Sequence, residues 1–244
     1  MRSLLLIAAL CVNLFPAAQI SLPYPGPGMP TNGASFVQAA NCKGAPGVGN
    51  CTTGAISVTS GHTIAFCTGS NGAGTLSSIT ISTGTNNLAS FTQLFTPIAS
   101  PSSFDCRYIL STNATGSTTF KATWSVTNAM QMVVYELIVP TGLDGTPPAA
   151  QANTTNTVMA CPSYTTSHAA ALVICGVHTT AVEGSSFTAS SGFTIPTNGQ
   201  NVDGSNGGTG AMEYQKGVGI STALSPTITA GATGINYAGT FAFY

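Results

Sequence analysis

The sequence predicts an all-β protein: an antiparallel, two-sheet β-sandwich or jelly roll with three disulfides. About a dozen short apolar or alternating runs are separated by Gly, Asn, Ser and Pro, and no stretch has the 3.6-residue period of a helix. The composition agrees, with 28 glycines and 14 prolines in 244 residues. Since 43% of the residues are hydrophobic, the chain can bury a full core.

Charge is scarce, with five Lys or Arg against six Asp or Glu and a formal net charge of −1. A nucleic-acid partner requires a basic surface, so we expect no nucleic-acid binding. Beyond residue 19, every apolar run is interrupted by Ser, Thr, Gly or Asn within ten residues. A membrane-spanning helix needs about 20 apolar residues, so we expect no membrane span.

The first 19 residues have the pattern of a secretory signal peptide. Arg2 precedes a short apolar run, Leu4–Val12, and small residues follow at the point where a signal peptidase would cut, after about Ala18 or Gln19. We therefore expect the mature protein to be secreted, either extracellular or at the cell surface.

Residues 20–33 are predicted to form a proline-rich arm or linker. Pro23, Pro25, Pro27 and Pro30 lie close together in it, which favours extended, polyproline-like backbone over helix or central strand. The alternating runs begin after this segment, so residues 34–244 are predicted to form a single β-sandwich domain.

Loss of the leader removes Cys11 and leaves six cysteines, an even number that in an exported chain predicts three disulfides. Two pairs flank short polar or Gly/Pro-rich turns, and the third pair follows by elimination. The predicted bridges are Cys42–Cys51, Cys161–Cys175 and Cys67–Cys106. The alternative, a metal site, lacks a Cys-x-x-Cys pair and a histidine at ligand spacing.

Strands are expected wherever apolar residues alternate or run continuously. The runs 130–139 and 169–177 are continuously apolar and predict central strands, while Phe120 and Trp124 share the apolar face of an alternating run. The polar stretch 196–210 is predicted to be an exposed loop. In chain order, the expected strands are 55–58, 63–67, 78–81, 91–95, 107–110, 119–126, 130–139, 169–177, 192–195, 211–215, 225–229 and 238–244.

Several of these features together resemble a broad group of uncharacterised secreted bacterial β-sandwich proteins with jelly-roll or immunoglobulin-like folds. The resemblance covers about residues 34–244 and is carried by Cys42 with Cys51, the run 56–66, Val133–Glu136 with Asp144 downstream, and the terminal strand. It implies a fold and an export route but no reaction. The chain departs from the group after Glu136, where Leu137–Pro140 replaces a small residue followed by glycine.

Two strand carboxylates, Glu136 and Glu213, are the candidates for catalysis, since a glycosidase uses such a pair as acid and base. In a chain with so few charges we favour a structural role, in which each pairs with Arg107 or Lys121 or caps a loop. The sequence therefore predicts no catalytic residue.

Asp203, with asparagines on either side, is the candidate ligand for a calcium ion, but no EF-hand spacing surrounds it. One carboxylate makes a poor site, and we expect no metal or other cofactor. The histidines, His62, His168 and His178, are scattered, and no Gly-x-Ser-x-Gly motif accompanies them. Asn50, Asn113 and Asn153 begin Asn-x-Ser/Thr sequons, which matter only in a host that glycosylates exported chains.

These observations favour a secreted, non-catalytic structural or adhesive surface protein whose expected partners are copies of itself or surface glycans. Low net charge favours self-association, and the arm or an exposed sheet edge would supply the contact. The alternative is a secreted carbohydrate-binding module or a glycoside hydrolase that uses Glu136 and Glu213.

Overall fold

Regular structure in this protein is almost entirely β. The computed structural model describes residues 33–182, 184–205 and 207–244; the predicted signal peptide and residues 20–32 of the predicted arm lie outside them. A single-turn 3₁₀ helix, Leu88–Ser90, is the one helical element described. The strands are β1 Ser35–Gly44, β2 Asn50–Thr52, β3 Ile56–Val58, β4 Thr63–Ser70, β5 Leu76–Ile81, β6 Thr92–Gln93, β7 Ser103–Ile109, β8 Gly116–Thr118, β9 Phe120–Trp124, β10 Met130–Ile138, β11 Gln151–Ala160, β12 Tyr164–Thr165, β13 Ala171–Thr179, β14 Gln200–Asn201, β15 Thr209–Val218, β16 Ala223–Leu224 and β17 Thr227–Phe243.

Two five-stranded antiparallel sheets form the body of the fold. The central sheet has the strand order β1-β10-β4-β7-β6, and the C-terminal sheet has the order β11-β17-β13-β15-β14. The smaller sheets are β2-β9-β5, β3-β8 and β12-β16. This architecture confirms the predicted all-β class with antiparallel sheets.

The inner core lies between the two large sheets. Val133 and Tyr135 of β10 contribute to it from the central sheet, and Leu172, Ile174 and Phe241 contribute from the C-terminal sheet. Because successive strand residues point to opposite faces, only every second residue of these strands enters this core. The remaining residues of β10 and β13 are also buried, as their continuous apolar runs predict.

A second core covers the opposite face of the central sheet. Phe120 and Trp124 of β9 pack with Phe66, Met132 and Val134 of the central sheet. The Trp124 indole N–H donates to Thr68 Oγ1 at 3.2 Å. The predicted core face of β9 is therefore confirmed, and the β2-β9-β5 and β3-β8 sheets add an outer layer to the two predicted sheets.

All three predicted disulfides are present. Cys67 and Cys106 lie directly opposite each other on the paired strands β4 and β7. Cys42–Cys51 connects β1 to β2, and Cys161–Cys175 connects the end of β11 to β13.

Several local expectations differ from the structure. Residues 192–195 form no strand and make one isolated bridge, Thr194 to Tyr214. Most of the two runs 225–229 and 238–244 belongs to one long strand, β17 Thr227–Phe243, because the residues between them, 230–237, are also in strand conformation. The loop expected at 196–210 is not wholly exposed, since β14 pairs within it with β15 and Asn201 is buried. No helix among the described residues has the length and apolar character needed to cross a membrane.

Candidate functional site

Glu136 is a fully buried carboxylate near the end of β10. Its Oε1 lies 2.8 Å from His62 Nδ1 and accepts from the Thr59 N–H at 2.8 Å, and its Oε2 accepts from Gln38 Nε2 at 2.5 Å. The expectation that it caps a loop is met through Thr59. Arg107, one of the alternative partners, instead donates to Asp105 Oδ2 at 2.9 Å.

Glu213, on β15, is also fully buried, and Ser190 donates two hydrogen bonds to it. Its two oxygens accept from the Ser190 N–H at 2.8 Å and from the Ser190 hydroxyl at 2.7 Å. Burial raises the pKa of Glu213 to about 7, and the two hydrogen bonds from Ser190 only partly oppose that rise. Glu213 is therefore a carboxyl that titrates near neutral pH.

The structure does not bring Glu136 and Glu213 together. On β10, Val134 faces the outer layer, so Glu136, two residues on, lies on the same side. On β15, Met212 enters the inner core, so the next residue, Glu213, lies on the opposite face of the C-terminal sheet. Both large sheets separate the two carboxylates, and the pair that a glycosidase requires is not formed.

Asp203 is buried and already engaged. One oxygen accepts from the N–H and the hydroxyl of Ser205 at 3.0 and 2.8 Å, and the other lies 3.7 Å from Lys43 Nζ. An ammonium at this distance opposes the binding of a calcium ion by electrostatic repulsion. Within the described ranges, no three His, Cys, Asp or Glu side chains are grouped as a metal site.

Two histidine–carboxylate pairs are features that the sequence analysis missed. One is His62 with Glu136. In the other, His168 Nδ1 lies 2.7 Å from Asp144 Oδ1, and the imidazole stacks on Tyr244 with ring centroids 3.6 Å apart. The partners are far apart in sequence, so spacing gives no signal for them. Among the described residues, neither imidazole hydrogen-bonds to a serine hydroxyl or a thiol, so no catalytic triad is formed.

Trp124 lines a depression of about 110 Å³ together with Asp105 and Arg107. Arg107 Nε donates to Asp105 Oδ2 at 2.9 Å, and burial raises the pKa of Asp105 to about 6. Trp124 is only 5% exposed. A sugar-stacking ring must present its face to solvent, so Trp124 serves packing, as expected.

The sheet edges differ in length. Each large sheet has one edge strand of two residues, β6 or β14, and one of ten residues, β1 or β11. Short edges give little backbone for another strand to pair with. In the part of the chain that the structure describes, β1 and β11 are therefore the edges of the large sheets that are long enough to accept a strand.

A groove runs along the free edge of β1, and we call it the β1 slot. Two adjoining depressions, of about 380 and 270 Å³, are lined by the consecutive residues Phe36–Ala39 and then Ala40–Asn41. The walls are residues 54–56 on one side and 196–198 on the other. Consecutive strand residues face alternately up and down, so a cavity lined by all of them lies beside the backbone edge.

The β1 slot is closed at one end by the loop before β15. The Asn41 side chain donates to the carbonyls of Asn198 and Gln200 at 3.1 and 2.8 Å, and the Asn201 side chain donates to the carbonyl of Cys42. At the other end a β-bulge at Val37 leaves that side chain 40% exposed. The described residues that line the slot include none that is charged.

β1 is not predicted from the sequence, because Gln38, Asn41 and Lys43 interrupt its apolar residues. No protein-family model matches this chain, and no curated protein or solved structure matches it significantly.

Proposed function

We propose that the mature chain is a secreted, non-catalytic structural or adhesive surface protein that associates with copies of itself by strand addition along β1. The observation that carries this proposal is the β1 slot, a groove beside residues Phe36–Asn41 of the ten-residue edge strand β1. Strand addition supplies affinity through main-chain hydrogen bonds and needs no charged side chain.

An open edge of this length requires an explanation, because soluble proteins usually protect such edges. The common protections are short strands, prolines, inward-pointing charges and bulges. β1 contains no proline, its one charged residue is Lys43 beyond the open part of the slot, and its bulge is confined to Val37. Retention of an accessible edge supports a role for it in association.

The composition and the disulfides support the same proposal. A net charge of −1 leaves little repulsion between copies. Three disulfides are typical of proteins that fold in an oxidising compartment, in agreement with the predicted signal peptide.

The proposed lack of catalysis is supported by the separation of the two candidate carboxylates, which the glycoside hydrolase alternative would need close together. The carbohydrate-binding alternative is tested by a glycan array with the purified mature protein. Specific glycan binding that persists in a variant with a blocked β1 slot would favour that alternative.

The oligomeric state of the mature protein tests the proposal directly. We expect wild-type protein to form larger species in light scattering and electron microscopy, and Val37→Lys to be monomeric. A charge at this exposed position would have to be desolvated when a strand enters the slot. Ile220→Lys is the matched control, since Ile220 is 62% exposed in a turn away from the slot lining.

Both variants should melt near the wild-type temperature, which shows that the substitutions leave the fold intact. The proposal fails if the wild-type protein is monomeric at its solubility limit. It also fails if Val37→Lys and Ile220→Lys assemble as wild type does.

A further inference from the structure

We infer that the strand that fills the β1 slot is residues 22–28 of the proline-rich arm of a second copy. This inference rests on the proposed function and names the partner segment. The occupant must supply backbone donors on one side, fit a slot of limited length and bring apolar side chains, because the slot lining is uncharged.

The spacing of the prolines meets the first requirement. In an extended strand, the N–H and C=O groups of residues two apart point to the same edge. Pro23, Pro25 and Pro27 therefore remove donors from one edge only. Leu22, Tyr24, Gly26 and Gly28 keep all the donors of the other edge, which can pair with β1.

The length meets the second requirement. The slot follows the six residues Phe36–Asn41, which span about 20 Å at about 3.3 Å per residue. Residues 22–28 are seven residues and span a similar length when extended. The hydrogen bonds from Asn41 and Asn201 to their backbone partners close the slot beyond this length.

The side chains meet the third requirement. In an extended strand, Leu22 and Tyr24 lie on one face and the prolines lie on the other. A strand in the slot would turn one face to the wall at residues 54–56 and the other to the wall at 196–198. Ala55 and Ile56 on one wall and Pro196 on the other give apolar contacts to both faces.

The same spacing of prolines would also prevent a further strand from pairing with the outer edge of the bound arm. Once the arm is paired, its outer edge lacks N–H groups at residues 23, 25 and 27, so no further strand can add there. Each copy then donates one arm and accepts one, which is a head-to-tail contact. Such contacts form open filaments, or rings when the rotation closes.

The test exchanges two neighbouring residues of the arm in the full chain. Pro25→Gly combined with Gly26→Pro keeps the composition and length but removes a donor from the pairing edge. We expect this variant to be monomeric under conditions in which wild type assembles. The control, Met29→Ala, lies outside the paired segment and should assemble normally.

Free peptides give a second measurement that does not depend on folding of a variant. A peptide of residues 20–30 should dissociate wild-type assemblies, and the peptide with Pro25 and Gly26 exchanged should be about tenfold weaker or worse. One lost backbone hydrogen bond, with its partner left unpaired, accounts for a change of this size.

The outcomes separate this inference from the proposed function. If Val37→Lys dissociates the assembly but the exchanged arm and both peptides have no effect, self-association through β1 stands and the arm is not the donor. If wild type is monomeric and binds the peptide only after its own arm is deleted, the arm pairs within one copy, and both claims of association are overturned.

Discussion

At the scale of single residues, three buried ionisable groups contribute to the pH dependence of stability between about pH 4 and 7. Burial raises the pKa of Glu213 to about 7 and of Asp105 to about 6, and it lowers the pKa of His178 to about 4. As pH rises, the folded state keeps the two carboxyl protons that the unfolded chain loses, so these groups make stability fall. For His178 the unfolded chain binds the extra proton, so stability rises between about pH 4 and 6.5.

The substitution Glu213→Gln should remove one of these dependences. Between the ordinary pKa of 4.5 and the folded value of about 7, wild type loses stability relative to the variant as pH rises. The relative change approaches about 1.4 kcal/mol per pH unit within this window and levels off above it. Urea denaturation of both proteins at a series of pH values measures the difference. Parallel stability curves from pH 4.5 to 8 would show that the pKa of Glu213 is not raised by folding, contrary to the prediction.

At the scale of the elements, the disulfides connect different distances along the chain. The bridges close loops with sequence separations of 9, 14 and 39 residues, and the longest belongs to Cys67–Cys106. A longer closed loop restricts the unfolded chain more. Cys67–Cys106 also lies within the inner core, where its loss leaves a cavity.

We therefore predict that removal of Cys67–Cys106 costs more stability than removal of either other bridge. Chain entropy alone gives about 4 kcal/mol for this bridge, about 3 for Cys161–Cys175 and about 2.6 for Cys42–Cys51. Three double cysteine-to-alanine variants, compared by denaturant unfolding, give the ranking. A variant lacking Cys42–Cys51 that proved the least stable would contradict it, and would indicate that the link between β1 and the outer layer matters more than loop length.

At the scale of the whole molecule, the protein carries little charge, and the surface that we propose for association is uncharged. No residue lining the β1 slot is ionisable, and the net charge is −1. Salt screens interactions between exposed charges but has little effect on backbone hydrogen bonds or apolar contacts at moderate concentration.

Assembly should therefore change little as ionic strength increases. We expect the sedimentation profile of wild-type protein to be nearly the same in about 0.05 M and about 0.5 M sodium chloride, where the screening length falls severalfold. The control is the salt response of Val37→Lys, which should remain monomeric in both. Dissociation of wild type at the higher salt would show that charged groups carry the contact, and would contradict docking in the slot.

The sequence predicts those features of the structure that depend on residues close together in the chain. The period-two pattern of Phe120 and Trp124 identified their buried face, because alternation along one strand needs no knowledge of its neighbours. The turns between Cys42 and Cys51 and between Cys161 and Cys175 predicted two disulfides for the same reason. β1 is not predicted because its polar residues have partners that are distant in the chain. Asn41, for example, donates to the carbonyls of Asn198 and Gln200.

The all-β class, the three disulfides and the buried strand faces can be predicted from the sequence, since they follow from periodicity, turn composition and the number of cysteines. Tertiary structure alone decided that Glu136 and Glu213 lie on opposite sides of two sheets and that His168 meets Asp144. It also placed β1 at one edge of the central sheet. The physical reason is that strand order comes from pairing between residues far apart in the chain, and the pattern within one strand does not specify which other strand it pairs with.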